Sequence, residues 1–188
     1  MSARRGGKGW AVRPAACALI AVLAAGPATV AAAPNRPRGP LAPPLRSERW
    51  INSRPLAQAD LRGKVLLVEF WTFDCINCIR TVPAMRQLRA SLPVSEVVIV
   101  GVHTPELDRE RELRNVERAV ARLGVTYPVA LDNDYAIWRS FNNRYWPALY
   151  VVDKRGVIRH VHTGELHQRT SDWDEVTSLV ESLRKESP

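Results

Sequence analysis

The chain has 188 residues, 46% of them hydrophobic and 7% aromatic, enough for one ordinary globular domain with a single sizeable core. Three cysteines make no disulfide framework and the composition is not collagen-like, so those classes are excluded. The net charge of +8 suggests a nucleic-acid partner, but residues 63–188 carry 17 bases and 17 acids, interleaved, which leaves no stripe to track a phosphate backbone; nucleic acid is not an expected partner.

In chain order, residues 1–33 come first as a leader. Arg4, Arg5, Lys8 and Arg13 precede an apolar run from Ala15 to Ala25, and small residues dominate Ala28 to Ala33. That order is the form of a secretory signal peptide, with cleavage expected after Ala32. The alternative is an uncleaved membrane anchor, against which Gly26 and Pro27 interrupt the run. Cys17 lies inside the leader, so a cleaved chain keeps two cysteines in an oxidising compartment. Residues 34–48 follow as a Pro-rich linker: five of the eleven residues from Pro34 to Pro44 are proline, a composition of extended tethers without a core.

The remaining residues, 49–188, read as one domain. Arg49 to Asn52 suggests a short leading strand. Val65 to Trp71 (VLLVEFW) is a near-continuous apolar run, the pattern of a parallel strand covered on both faces. A helix is expected from Cys75 to about Ala90 with Pro83 as an internal kink, then a second buried strand from Glu96 to Val102. Leu113, Val116, Val120 and Leu123 recur at helical spacing and Gly124 stops the helix, while the Glu/Arg pattern of 106–122 reads as an ion-paired surface. Pro128 to Leu131 is a short strand, and Asp134 is expected to cap a brief helix carrying Tyr135, Trp138 and Phe141. Pro147 to Val152 and Val157 to Val161 flank a turn at Asp153–Gly156, a hairpin signature. Ser171 to Asp174 reads as the capping box of an amphipathic helix bearing Trp173, Val176, Val180 and Leu183. The fold class is therefore α/β: a mixed sheet of parallel strands with an antiparallel hairpin at its edge and helices on both faces. In such sheets function gathers at the carboxyl ends of the strands.

The first such end leads into Cys75-Ile76-Asn77-Cys78. A cysteine at a strand-to-helix junction stands among the unpaired N–H groups of the helix N-terminus, which favour the thiolate. Cys75 is thus the expected nucleophile and Cys78, one turn in, the resolving thiol. A zinc site needs about four ligands; no second cysteine pair exists, and His103, His160, His162 and His167 follow no zinc-ribbon spacing, so neither a metal nor another cofactor is expected. A permanently closed disulfide is the other alternative, although so short a loop stabilises little. His103 follows the second strand end, where it would either raise the thiolate fraction or simply pack.

Val68-Glu69-Phe70-Trp71 before the cysteine pair, with Pro83 beyond it, resembles the thioredoxin superfamily. More narrowly, Phe70-Trp71-Thr72, Cys75 to Cys78, Gly101 to Glu106, Ala130 to Asn133 and Asn143 to Ala148 are similar to exported thioredoxin-like domains of the TlpA and DipZ type, over about residues 49–183. The resemblance implies a three-layer thioredoxin-like fold in which Glu69 is the buried acid beneath the cysteines that helps remove the proton from the resolving thiol. A carboxyl inside an apolar strand should have a raised pKa suited to that task, unless the two-residue strand alternation turns it outward. It implies further that Pro147 is a cis-proline facing the pair and presenting backbone to a substrate. Trp146, bulky where many relatives are small, narrows the substrate groove or packs, and Trp71 sits beside the disulfide. Arg80 lies close enough to add positive potential, or is merely solvated.

The expected function is an exported, periplasmic or extracytoplasmic thiol:disulfide oxidoreductase acting on protein or small-molecule disulfides, with the reducing direction implied by the resemblance. DipZ-like proteins carry a membrane electron-transfer domain that this sequence lacks, so a separate upstream thiol donor, membrane-bound in one version, is the expected partner. Membrane contact is expected at most through the N-terminal segment, which would tether the domain if uncleaved. The alternatives are a peroxiredoxin-like thiol peroxidase, of which Thr72-x-x-Cys75 is a faint echo, and a non-catalytic binding module with a structural disulfide.

Overall fold

The structure, a computed structural model, describes Ser2, Ala3, Gly6 and residues 39–188. The leader expected over 1–33 otherwise lies outside the described residues. The chain divides into two units, Met1–Asn35 and Arg36–Pro188, and the fold is that of the second. Among the described residues no helix is long and apolar enough to cross a membrane.

The elements in order are β1 (Trp50–Ile51), α1 (Gln58–Leu61), β2 (Val65–Trp71), α2 (Ile76–Ser91), β3 (Val97–His103), a 3-10 turn at Asp108–Arg111, α3 (Leu113–Leu123), β4 (Val129–Leu131), α4 (Ala136–Ser140), β5 (Ala148–Val152), β6 (Ile158–Thr163) and α5 (Ser171–Lys185). They build one six-stranded sheet in the order β1-β4-β3-β2-β5-β6. β2, β3 and β4 are mutually parallel, and β5, β6 and β1 run antiparallel to their neighbours. The mixed sheet and edge hairpin expected from the sequence are both present.

All seven residues of β2 are buried, and alternation divides them between two cores. Val65, Leu67 and Trp71 pack with Met85 and Leu88 of α2, Val116 and Val120 of α3, and Val176, Val180 and Leu183 of α5. Leu66, Val68 and Phe70 pack on the other face with Ile137 of α4, Phe141 and Tyr150. Glu69 falls in the first set by parity, so its carboxylate is carried into a core. α3 ends where Gly124 takes φ +66, a left-handed conformation that costs a residue without Cβ little.

Several expectations need correction. The second half of the Pro-rich linker is not a free tether. Pro40 accepts from the Ile158 N–H, Ala42 donates to Gly156, and Leu45 is buried in the second core, because prolines already extended lose little entropy when laid along a strand edge. The α5 cap is Thr170, whose hydroxyl accepts from the Trp173 N–H, one residue before the expected capping box. At α4 the main capping carboxylate is Asp132, which accepts from Ile137 and Trp138; Asp134 accepts only from Ala136. The helix expected from Cys75 to about Ala90 is α2, with Pro83 inside it as expected.

Candidate active site

β2 delivers the chain to its carboxyl end, and buried Thr72 and Phe73 with exposed Asp74 lead to Cys75, the N-cap of α2. The Cys75 backbone is extended (φ −74°, ψ 113°), and its Sγ accepts from the Cys78 N–H at 3.4 Å, the place a serine or aspartate oxygen takes in ordinary caps. A sulfur held there stands among the unpaired N–H groups of the helix's first turn. Cys75 is partly exposed and Cys78 is fully buried, and both are free thiols. Burial, first of all, then the bond and charge of Cys75 and the charge of Glu69, push the Cys78 thiol far up; only the Thr72 backbone N–H favours its thiolate. Cys78 is therefore a thiol at neutral pH and needs a base before it can attack.

Glu69 stands on the same strand, paired with Gly101 on β3 and Leu149 on β5. Its side chain points inward and is 1% exposed. Burial pushes its pKa up to about 7, while the hydroxyl of Tyr127, donating to Oε2 at 2.8 Å, pulls it back. Oε1 is buried without a partner. Gly101 makes the arrangement possible: a Cβ there would lie 2.8 Å from Trp71 Nε1 and 3.2 Å from the Tyr127 ring. A carboxyl that exchanges its proton near neutral pH, whose charge is felt by a buried thiol, is suited to general base work.

The Trp146-Pro147 bond is cis. Ala148 pairs with Phe70, so Pro147 stands at the end of the sheet from which Cys75 emerges. Pro147 is buried and its carbonyl accepts from Gly164, so any backbone offered to a substrate comes from its neighbours. Trp146 is half-buried: its Nε1 donates to the Thr104 carbonyl, and its ring lies 4.1 Å from that of Trp138. Its neighbour Tyr145 and Ile76 between the cysteines are both exposed.

Two expected site residues do not reach the surface. His103 is completely buried, with Nε2 3.3 Å from Thr72 Oγ1, edge-on to Trp71 and stacked on Phe73. Burial pushes its pKa down to about 4, against the opposing charge of Glu110, so it is neutral and gives the sulfurs no positive charge. Trp71 is likewise fully buried and packs over Gly101. Both side chains lie in the core rather than at the surface beyond the strand ends. Arg80 is exposed and spends its charge on Glu165.

Two residues escape the sequence reading. Glu110 lies in the Glu/Arg run taken as surface, yet it is fully buried: Oε1 accepts from the Asp74 N–H, and Oε2 from those of Glu106 and Leu107. It clamps the segment entering Cys75 to the loop after β3. Tyr127 carries no sequence signal, since a tyrosine before a proline looks like any turn residue. Among the described residues no group of three or more His, Cys, Asp or Glu is placed to hold a metal.

The chain matches the AhpC/TSA family over residues 42–161. It is 41% identical over 137 residues to Protein DipZ of Mycobacterium tuberculosis, which covers 71% of this chain but only 19% of DipZ. It is 29% identical over 123 residues to the thiol-disulfide oxidoreductase YkuV of Bacillus subtilis, 65% of this chain and 82% of YkuV. Among solved structures, a thioredoxin-like superfamily protein superposes with a TM-score of 0.71 at 25% identity, covering 79% of this chain and 99% of that one. The fold is thioredoxin-like.

Proposed function

Because the chain belongs to the AhpC/TSA family, we infer that it is a thiol:disulfide oxidoreductase working through Cys75 and Cys78, exported by its leader and acting as a reductase. The observation that carries this reading is the contrast within one helical turn: a partly exposed sulfur at the N-cap of α2 and a fully buried one that feels the charge of a carboxyl with a pKa of about 7.

In the forward direction the Cys75 thiolate attacks one sulfur of a substrate disulfide, forming a Cys75–substrate bond and releasing the other substrate sulfur as a thiol after protonation. Cys78 gives its proton to Glu69 and attacks Cys75 Sγ. The Cys75–Cys78 bond forms, the Cys75–substrate bond breaks, and its electron pair leaves on the second substrate sulfur, which takes a proton from water. The substrate gains two electrons and the protein loses two. A separate thiol donor then returns the pair to the dithiol. Exposed Ile76 and Tyr145 with half-exposed Trp146 suit an apolar stretch of a protein client.

The experiment is trapping. With Cys78→Ser, mixed disulfides with client proteins should accumulate on a non-reducing gel, and with Cys75→Ser none should form. Equal trapping by both variants removes the assignment of roles. Fractionation of cells expressing the full chain with a C-terminal tag tests export: the tag should be outside the cytoplasm. The peroxidase alternative asks for an accessible Thr72 hydroxyl, but Thr72 is fully buried and turned to His103. Rapid, stoichiometric sulfenate at Cys75 on mixing with peroxide would favour it nonetheless. A module with a merely structural disulfide would reduce no insulin.

A further inference from the structure

The base beneath the cysteines is held by a residue that no part of the redox motif identifies. Glu69 has two carboxylate oxygens in a closed core, and the structure treats them differently. Oε2 accepts from the Tyr127 hydroxyl at 2.8 Å, and Oε1 has no partner. Tyr127 is itself fully buried, in the segment between α3 and β4, and its ring fits only because position 101 is glycine. The groups that titrate around Glu69 are few. Cys78 of α2 and Tyr127 interact with it; β5 places apolar Leu149 opposite, and α5 brings Val176, Val180 and Leu183 to the same core. On β3 the facing residue is Gly101, and His103 beyond it bonds Thr72 instead.

We propose that Tyr127 is a positioning residue of this site, its hydroxyl pinning Oε2 of Glu69 so that Oε1 alone is free to take the proton of Cys78. The proposal rests on the oxidoreductase reading above. Two physical effects follow from the one bond. A carboxyl free to rotate about its last torsion would offer either oxygen in either direction, and the phenol selects one rotamer. A carboxylate with no donor at all in this core would also be held protonated at neutral pH, unable to act as a base; the Tyr127 hydroxyl stabilises the ionised form. Tyr127 thus makes Glu69 a base at the pH where the resolving step takes place. Cys78 loses its proton to Oε1, the Cys75–Cys78 bond forms, the Cys75–substrate bond breaks, and the leaving sulfur carries off the electron pair and takes a proton from water.

The test follows the lifetime of a single adduct. The reduced chain is mixed with glutathione disulfide from pH 5 to pH 9, and formation and decay of the Cys75–glutathione disulfide are followed by rapid quench and mass spectrometry. In the parent chain decay should accelerate with a midpoint near 7. In Tyr127→Phe the midpoint should rise by about one unit, slowing decay at pH 7 about fivefold, while adduct formation keeps the parent rate. Glu69→Gln should slow decay and abolish the midpoint. A Tyr127→Phe midpoint equal to the parent's, with Glu69→Gln slowed, overturns the role of Tyr127 and leaves the oxidoreductase reading standing. Slowing of formation and decay alike, at every pH and with no movement of the midpoint, marks a packing role and also overturns it. No adduct on Cys75 of the parent chain overturns both readings. Should Tyr127→Phe fail to fold, Tyr127→3,5-difluorotyrosine, a stronger donor of nearly equal size, should move the midpoint down; an unmoved midpoint is again decisive against the proposal.

Discussion

Two buried glutamates of this domain have nearly the same exposure and opposite surroundings. Glu110, in the loop region after β3, is 0% exposed and has three backbone N–H groups on its two oxygens. Glu69, in the central strand β2, is 1% exposed and has one phenol on one oxygen. The first charge is replaced in its core by fixed dipoles that do for it what water would do outside. The second is deliberately under-solvated, and its pKa rises to about 7 as a result. Burial raises a carboxyl's pKa, and the donors on its oxygens act against it. Asp132 also has three donors, two backbone N–H groups and the Thr104 hydroxyl, which act against the burial that raises its pKa.

The contrast can be broken by substitution, and the largest effect is expected at Glu110. Glu110→Ala leaves three backbone donors in the loops around Asp74 without an acceptor, and urea unfolding should show a loss of about 4 kcal/mol throughout pH 6–8. A loss below about 1 kcal/mol would mean that water replaces the carboxylate at no cost and that the clamp is incidental.

Glu69 should behave in the opposite sense, through pH. Its pKa is raised from 4.5 to about 7, so the unfolded chain ionises first as pH rises and the folded state retains the extra proton. The stability associated with the protonated form is full below 4.5 and is lost as pH climbs to about 7. Glu69→Gln has no such group. Measured against the parent, it should gain about 3 kcal/mol in relative stability from pH 4 to pH 8. A pH-independent difference would show that Glu69 is solvated after all. His103, with its pKa lowered to about 4, has the reverse slope, since the unfolded chain takes up a proton first as pH falls below about 6.5. In the parent the two slopes oppose one another across pH 4.5–6.5, so the comparison must be made between variants rather than read from the parent's profile.

The smallest effect is expected at the rim of the Glu110 clamp. Arg109 bonds the side chain of Asp74, the residue whose N–H Glu110 holds, but it is 63% exposed. Arg109→Ala should change stability by less than about 1 kcal/mol, and less still at high salt. A loss as large as that of Glu110→Ala would erase the distinction between a desolvated and a solvated carboxylate contact.

How much of this was legible beforehand depends on the range over which each feature is decided. The run from Val65 to Trp71 is one turn of argument, because an unbroken apolar strand has to be covered on both faces, and the structure covers it. The cysteine pair at a strand-to-helix junction is equally local, since a cap is decided by its nearest neighbours; so is the stop at Gly124. Glu69 could be read as inward only through parity and resemblance. The cap of α5 slipped by one residue because Thr170 and Ser171 are chemically equivalent candidates, and only the path of the chain chooses between them.

What the sequence by itself determined is therefore the strands and the longer helices, the position of the cysteine pair and the presence of an acid in the strand that leads to it, all of which follow from periodicity and from neighbours within about a helical turn. What only the tertiary structure decided is which polar groups meet across the sheet. Tyr127 lies 58 residues from Glu69, Glu110 lies 36 from Asp74, and His103 turns to Thr72 rather than to the cysteines. The physical reason is the low dielectric of the core. There a single donor more or less on a carboxylate decides its charge, and that count is set by residues that adjoin it only after the chain has folded.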